Sequence, residues 1–211
     1  MDRDEGREPA GSPTRQIRMP DLAALLAELT CGDDGRAEAA ALALPAYGEQ
    51  ALAALRPLLR ASQADTRWWA VRALAQFDTS HDLTGDLLQA LGDEADEVRQ
   101  CSAMSLARHP DPQAVLALVG SLSDRDAMTA ALARSALVAI GADAVAALIE
   151  LLDNGSRPAK LEAVRALAEI KDPRAIPALM KTFGEDSTIM HYWAEQGLGR
   201  LGLGMVYIKP E

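Results

Sequence analysis

The stretch "ADEVRQCSAMSLARHPDPQAVLALVGSLSD" (residues 95–124) decides the fold of this chain. Its apolar residues recur at spacings of three and four, which indicates amphipathic α-helix. Asp111-Pro112 interrupts the stretch, and a capping carboxylate followed by proline at the first helical position is typical of a helix start. The stretch therefore predicts two helices joined by a short turn, helix A before the turn and helix B after it.

The same pattern returns along the chain with a period of about 31 residues. One leucine of each A helix recurs at this period, as Leu44, Leu74, Leu106, Leu137, Leu167 and Leu198. The residue four positions earlier is always small: Ala40, Ala70, Ser102, Ala133, Ala163 and Ala194. The B helices carry a second ladder at Leu55, Leu87, Leu118, Leu148 and Leu179. Small residues at fixed positions predict that neighbouring helix backbones approach closely there.

Capping residues stand where the A helices should begin. A side-chain oxygen at the N-cap accepts a hydrogen bond from a free N–H group of the first helical turn. Residues of this kind precede five A helices: Asp33, Asp96, Asp126, Ser156 and Ser187. We therefore expect them to be the N-caps of the A helices.

Segments 95–124 and 156–186 resemble HEAT repeats of the short phycobilin-lyase type, whose pattern runs roughly D-x-x-V-R-x-x-A-x-x-A-L and then D-P-x-A-x-x-x-L-x-x-x-L. The resemblance implies an all-α fold, a right-handed α-α superhelix or HEAT-like solenoid of about five to six helical hairpins. We place the solenoid at residues 20–202. Residues 1–19 are charged and rich in Gly and Pro, which predicts a disordered tail, and the apolar segment 203–211 is expected to cap the last repeat.

The charge of the chain restricts its partners. The net charge is −10, so the protein repels phosphate backbones and anionic lipid unless a local basic patch attracts them. The exposed B-helix positions show no cationic stripe, and no run of 18 apolar residues is present. We therefore expect another protein as the partner, with a basic one favoured, nucleic acid as a third and less favoured possibility, no membrane, and a monomer by default. Cys31 and Cys101 lack metal-ligand spacing, and no signal peptide is visible, which favours the cytoplasm.

Half of the eight aromatic residues stand in two adjacent pairs, Trp68-Trp69 and Tyr192-Trp193. Trp68 and Tyr192 lie six positions before the repeated leucine, nearly opposite the buried face of their A helix. Trp69 and Trp193 lie at the edge of that face and are expected to pack against a neighbouring helix. For Trp68 and Tyr192 two interpretations stay open: an isolated surface ring, exposed or covered by a chain terminus, or an anchor for a partner protein.

The position seven before the leucine holds Arg67, Arg99, Ala130, Lys160 and His191. Arg67 and His191 are candidate partner-binding residues together with Trp68 and Tyr192. The resemblance implies a second interpretation, in which an arginine here pairs with an acid of an adjacent repeat, and Asp65, Asp96 and Glu97 are available.

No catalytic motif is recognisable in the sequence. The three histidines, His81, His109 and His191, fall in different repeats, and none is followed by Glu, unlike the His-Glu pairs of HEAT-type di-iron hydroxylases. We expect no catalytic residue, no metal and no cofactor, and therefore a non-enzymatic scaffold or adaptor that binds a partner protein or peptide. The alternative is an accessory subunit or lyase resembling the phycobilin lyases, which would hold an open-chain tetrapyrrole between repeats or act on its attachment to a carrier protein.

Overall fold

The computed structural model describes residues 21–78, 81–184 and 187–203. Its α-helices are α1 (Leu22–Leu29), α2 (Asp34–Ala43), α3 (Gly48–Leu55), α4 (Ala64–Leu74), α5 (Thr84–Leu91), α6 (Asp96–Arg108), α7 (Val115–Ser121), α8 (Ala127–Ile140), α9 (Val145–Asn154), α10 (Arg157–Ile170), α11 (Ile176–Lys181) and α12 (Thr188–Arg200). Short 3₁₀ turns occupy Leu44–Tyr47, Arg56–Arg60, Pro112–Ala114, Gly141–Ala144, Pro173–Ala175 and Thr182–Gly184. The predicted tail, residues 1–19, and all but Leu203 of the predicted cap lie outside the described residues.

The helices form two layers. The even-numbered helices are the A helices, and each packs against the next along the chain to form one layer. The odd-numbered helices are the B helices, and α1, α5, α7, α9 and α11 each pack against the A helix that follows. No strand occurs within the described residues. The predicted all-α solenoid of stacked helix pairs is confirmed.

The repeated residues build the core of this solenoid. All six leucines of the A-helix ladder are buried, and Leu137 and Leu167 are fully enclosed. The small residues four positions earlier are buried as well, and Ala163 has no exposed surface. The chain therefore forms its core from leucine and alanine, because small side chains let the A helices approach each other closely.

Turn residues set where the helices begin and end. Asp33 and Asp126 cap α2 and α8 by accepting hydrogen bonds from the backbone N–H groups of Arg36 and Thr129, at 2.9 and 2.7 Å. Gly141 ends α8 with φ +75°, a left-handed conformation that glycine adopts without steric cost.

The other three predicted caps do not form. Asp96 lies inside α6, one residue after the N-cap position, where its carboxylate pairs with Arg99. Ser156 and Ser187 occupy the N-cap positions of α10 and α12, but neither side chain accepts a hydrogen bond from the helix that follows. The predicted helix starts were therefore right to within one residue, whereas the side-chain contacts were right only for two of the aspartates.

Residues Ala127–Asn154 form an apolar helical stretch of 28 residues, and an 18-residue window within it has a mean hydropathy of 2.0, so the stretch could cross a bilayer by length and composition. The stretch contains no uninterrupted run of 18 apolar residues, because polar residues are interspersed in it. The break at Gly141 divides it into α8 in the A layer and α9 in the B layer, and Leu137 and Leu148 on either side of the break are fully buried. The stretch is thus an A–B pair of the solenoid, and 33% of the residues of its most apolar 18-residue window are buried in the structure.

Gly197 marks a close approach between α12 and α10. A Cβ atom at Gly197 would lie 3.0 Å from both the Cα and the Cβ atoms of Ala168, and 3.0 Å from Cδ1 of Leu179. We expect Gly197→Ala to lower the free energy of unfolding by about 1–3 kcal/mol, because backbone atoms would have to move. Urea denaturation followed by circular dichroism measures this change.

Gly199 provides the matched control in the same helix. A Cβ atom there meets nothing within 4 Å, so Gly199→Ala should raise the free energy of unfolding by about 0.5–1 kcal/mol through helix propensity. Equal free energies of unfolding for the two alanine variants would contradict the close approach of α10 and α12 at Gly197.

Candidate functional site

A groove of about 460 Å³ crosses the N-terminal turns of α2, α4 and α6. The stacking of the A layer brings these three first turns to one edge of the solenoid. We call this site the tryptophan groove, and its walls are formed by Asp34, Ala64, Asp65, Trp68, Trp69, Glu97 and Val98.

The aromatic wall of the groove is the Trp68–Trp69 pair. The two indole rings pack edge to face, with centroids 4.7 Å apart and planes at 89°. Trp69 is only 5% exposed and belongs to the core, as predicted from its position in the repeat.

Trp68 departs from the sequence-based expectation. Its position opposite the buried face predicted an outward-pointing ring, but the side chain is half-buried and packs against the core. Helix periodicity gives the direction of the Cα–Cβ bond, whereas a long aromatic side chain can fold across the helix surface onto a neighbouring ring. Trp68 is therefore part of a groove wall and not an isolated surface anchor.

The acidic wall comes from three different helices. Asp34, Asp65 and Glu97 lie in the first turns of α2, α4 and α6, and all three are exposed. Among the residues that the structure describes, none of them forms an ion pair. The first turn of a helix stabilises carboxylates, because the free N–H groups carry partial positive charge. The groove therefore presents a negative surface that favours a cation.

These carboxylates were not predicted as a site from the sequence, although their spacing in it could have identified them. Asp34, Asp65 and Glu97 are 31 and 32 residues apart, close to the repeat period. At the same position later repeats carry Met128, Pro158 and Ile189. The acidic wall is thus confined to the first three A helices.

Arg67 does not reach the groove surface. It is 6% exposed, and its guanidinium donates two hydrogen bonds of 2.7 Å to the carboxylate of Asp93 and one of 2.9 Å to the carbonyl of Ala61. This corrects the assignment of Arg67 as a candidate partner-binding residue. The inter-repeat ion pair suggested by the family resemblance is the arrangement found, with Asp93 as the main acid and not Asp65 or Glu97.

The same arrangement recurs one repeat later. Arg99 donates two hydrogen bonds of 2.8 Å to the carboxylate of Asp124, one of 2.7 Å to Asp96, and one of 2.9 Å to the carbonyl of Asp93. Asp93 and Asp124 occupy equivalent positions just before successive A helices, so each pair ties a helix to the loop that precedes the next one. These arginines hold the repeats in register.

Opposing effects act on the pKa of Asp93. Burial alone would raise it, but the hydrogen bonds from Arg67 and from the backbone N–H of Ala95, together with the charges of Arg67 and Arg99, outweigh burial and lower it. Burial likewise acts to raise the pKa of Asp124, and the hydrogen bonds from Arg99 outweigh it, so this pKa is lowered too. Both carboxylates are therefore ionised and paired at neutral pH.

The second aromatic pair lies in α12, with three A helices between it and the Trp68–Trp69 pair of α4. Tyr192 is 51% exposed and packs edge to face on Trp193, with ring centroids 5.4 Å apart. Trp193 is half-buried, with the guanidinium of Arg165 5.3 Å from its ring centroid. His191 is half-buried, and its ring lies 5.6 Å from that of Phe183. The candidate residues thus form two separate patches, and a binding role for Tyr192 and His191 stays a prediction.

The B layer carries an apolar stripe that was not predicted from the sequence. Equivalent positions of α5, α7, α9 and α11 hold partly or largely exposed apolar side chains: Leu88, Val119, Ile149 and Met180. Leu116, one turn before Val119, is 79% exposed. A shallow groove of about 340 Å³ adjoins this stripe between α5 and α7. The 31-residue period relates the four equivalent positions, so their spacing could have identified the stripe.

Groups suited to covalent or metal chemistry are sparse. Cys101 is buried, and burial raises the pKa of its thiol to about 11, so it is protonated and a poor nucleophile at neutral pH. His81 lies 3.0 Å from a carboxylate oxygen of Asp78 at the surface. Within residues 21–78, 81–184 and 187–203, no group of three or more His, Cys, Asp or Glu residues is placed to hold a metal ion.

The stacked helix pairs and the inter-repeat arginine pairs define an α-solenoid repeat protein. The family of HEAT repeats matches residues 84–159 and 122–199, which together span more than half of the chain. The chain belongs to the HEAT-repeat family.

Two relatives of known name share sequence with it. A phycobilisome maturation protein of Synechococcus elongatus is 33% identical over 105 residues, which cover 49% of this chain and 50% of that protein. A phycocyanobilin lyase subunit beta of Nostoc sp. is 31% identical over 123 residues, which cover 56% of this chain and 60% of that protein. The chain thus spans about half to three fifths of the length of the curated relatives it matches.

Solved structures agree on the fold. The complex of CpcE and CpcF of phycocyanin lyase from Nostoc sp. superposes with a TM-score of 0.52 at 22% identity, covering 93% of this chain and 82% of that chain. A designed armadillo repeat protein in complex with the peptide (KR)4 gives a TM-score of 0.52 at 22% identity, covering 86% of this chain and 100% of that chain. At this level of identity the likeness concerns the solenoid fold alone.

The comparisons correct the expectation that the chain is not an enzyme. One relative is named as a subunit of a lyase and the other as a maturation protein. The scaffold was favoured over the lyase because the sequence holds no recognisable catalytic motif. That inference was wrong, because the lack of a recognisable catalytic motif does not by itself exclude a lyase-type activity.

Proposed function

We propose that the chain is a subunit of phycobilin-lyase type, which binds a carrier protein and acts on the attachment of an open-chain tetrapyrrole to that carrier. The observation that carries the proposal is the 31% identity, over 123 residues, to a phycocyanobilin lyase subunit beta. The solenoid supports it, because stacked repeats offer extended surfaces that can engage a folded partner and a ligand together. The cytoplasmic location favoured by the sequence belongs to the same proposal.

The contribution of this chain to the reaction would be binding and orientation. Cys101 is buried and protonated, so it is unsuited to a covalent intermediate. Holding a tetrapyrrole against its attachment site on the carrier accelerates the reaction by proximity, without a nucleophile from the lyase itself. A solenoid that binds both components meets this requirement.

The apolar stripe of the B layer is the surface best suited to the tetrapyrrole and the carrier surface around it. Leu116 and Met180 are 79% and 58% exposed, and a flat conjugated ligand would remove such side chains from water. Covering one leucine side chain contributes about 1.5–3 kcal/mol, so two or three of them would contribute about 3–9 kcal/mol toward binding, before the cost of association is subtracted.

A reconstitution assay tests the proposed function. The full chain is incubated with an open-chain tetrapyrrole and an apo-carrier, and the absorbance spectrum is followed. We expect a red-shifted band that persists after denaturation of the carrier, and it should form faster than in the absence of the chain. Identical spectra and rates with and without the chain would contradict the proposal.

The variant Leu116→Gln tests whether the apolar stripe of the B layer takes part in the reaction. This side chain is so exposed that its replacement should leave folding unaffected, but the initial rate should fall about threefold or more because apolar contact is lost. Met128→Gln, a comparably conservative change at a 56% exposed position on α8 in the A layer, is the matched control and should leave the rate unchanged. Equal reaction rates for the two variants would show that the apolar stripe does not take part in the reaction.

A further inference from the structure

The tryptophan groove combines two chemical features that select its ligand. Its rim carries the carboxylates of Asp34, Asp65 and Glu97, none of them ion-paired within the described part of the chain. One wall is the edge-to-face Trp68–Trp69 pair. A ligand that suits the groove is therefore cationic and stacks on an indole.

The charges decide between candidate ligands. The three helix N-termini at the groove contribute a partial positive charge of about half a unit each, which the three full negative charges of the carboxylates outweigh. No lysine, arginine or histidine of the described ranges lines the groove. A tetrapyrrole carries propionate carboxylates and a nucleic acid carries phosphates, so both are repelled here. The groove is thereby distinct in chemistry from the apolar stripe on the B layer.

An arginine side chain fits both features. Its planar guanidinium donates to carboxylates and stacks on the face of an indole ring, which an ammonium group does less well. A groove of about 460 Å³ has room for such a side chain and its adjacent backbone.

We propose that the tryptophan groove binds an arginine side chain presented by an extended basic segment of the partner protein. This inference rests on the proposed function in requiring a protein partner, and it does not depend on the lyase chemistry. The net charge of −10 supports the inference, because the negative field of the protein would steer a basic segment toward the solenoid. The groove would then hold one arginine of that segment.

Calorimetric titration of the full chain tests the inference. The probe is acetyl-Gly-Arg-Gly-Arg-Gly-amide, and its counterpart contains citrulline, a neutral isostere, at both arginine positions. We expect the arginine peptide to bind and to shift tryptophan emission, and the citrulline peptide to bind about tenfold more weakly or less. Equal affinities of the two peptides would overturn the inference.

Charge-matched variants separate the groove from the general field of the protein. Asp65→Asn with Glu97→Gln should weaken binding of the arginine peptide about fivefold or more. Asp143→Asn with Glu150→Gln removes the same charge from exposed positions outside the groove and should change the affinity less than about twofold. An equal loss in both double variants would show that the peptide binds only through the overall charge, and the inference would fail.

The two proposals fail separately. A chain that binds the arginine peptide in the groove but does not alter the reconstitution assay would uphold this inference and overturn the proposed lyase-type function. A chain that accelerates the attachment reaction but does not distinguish arginine from citrulline would overturn this inference alone. Displacement of the peptide from the groove by the free tetrapyrrole would also overturn it, since the groove would then accept an anionic ligand.

Discussion

Replacing Arg67 by methionine should lower the free energy of unfolding by about 3–5 kcal/mol, because one partner of a buried ion pair is removed and the other is left without compensation. The side chains of Arg67 and Asp93 are only 8% and 10% exposed. The substitution also leaves the carbonyl of Ala61 without the donor it now has at 2.9 Å. Urea denaturation measures the loss.

Arg36→Met is the matched control for this experiment. Arg36 also forms a two-point ion pair, with Glu28, but the two side chains are 59% and 36% exposed. Exposed pairs contribute about 0–1 kcal/mol, so this variant should unfold close to the wild-type midpoint. If Arg67→Met were no less stable than Arg36→Met, the assignment of Arg67 to the framework of the solenoid would be wrong.

The effect of Arg67→Met should depend on pH. The pKa of Asp93 is lowered in the folded protein, so its ionised form contributes stability above the unfolded value of about 4, and this contribution is lost as the pH falls further. In the variant, burial without the guanidinium favours the neutral acid. The stability difference between wild type and variant should therefore narrow as the pH falls below about 4.

Trp69→Ala should cost about 3–5 kcal/mol of unfolding free energy. Trp69 is 5% exposed and belongs to the core cluster, so truncation leaves a cavity between the A helices. Thermal melting followed by circular dichroism reports the loss, and the indole contribution to near-ultraviolet dichroism should fall with it.

Trp68→Ala provides the contrast within the same pair. Its half-buried ring contacts Trp69 edge to face, so its removal should cost about 1–2 kcal/mol, more than the change within about 0.5 kcal/mol that a fully exposed position would give. A loss as large as that of Trp69→Ala would mean that Trp68 is core and that the groove lacks an accessible aromatic wall.

The candidate site was only partly predictable. The unusual Trp68-Trp69 pair pointed to the right region, because the Cα–Cβ bonds of adjacent helical residues point about 100° apart, so the two rings cannot both lie at the centre of the buried face. The buried state of Arg67 could not be read from its position, since its partner Asp93 comes from the loop before the next A helix. The acidic wall draws on α2, α4 and α6, so it exists only once the helices are stacked.

The sequence by itself determined the solenoid. A period of about 31 residues, with leucine and small residues at fixed positions, specifies which face of each helix is buried, and Gly141 and the capping residues Asp33 and Asp126 specify where helices end and begin. Local chemistry sufficed because each repeat contacts mainly its neighbours.

Only the tertiary structure decided which side chains share a surface. Asp34 and Glu97 are 63 residues apart in the chain but line one groove, and Leu88 and Met180 lie on one stripe although they come from distant helices of the B layer. The physical reason is that burial of an individual helix face follows from its own periodicity, whereas the depth and charge of a groove depend on how far each long side chain bends toward residues of other repeats.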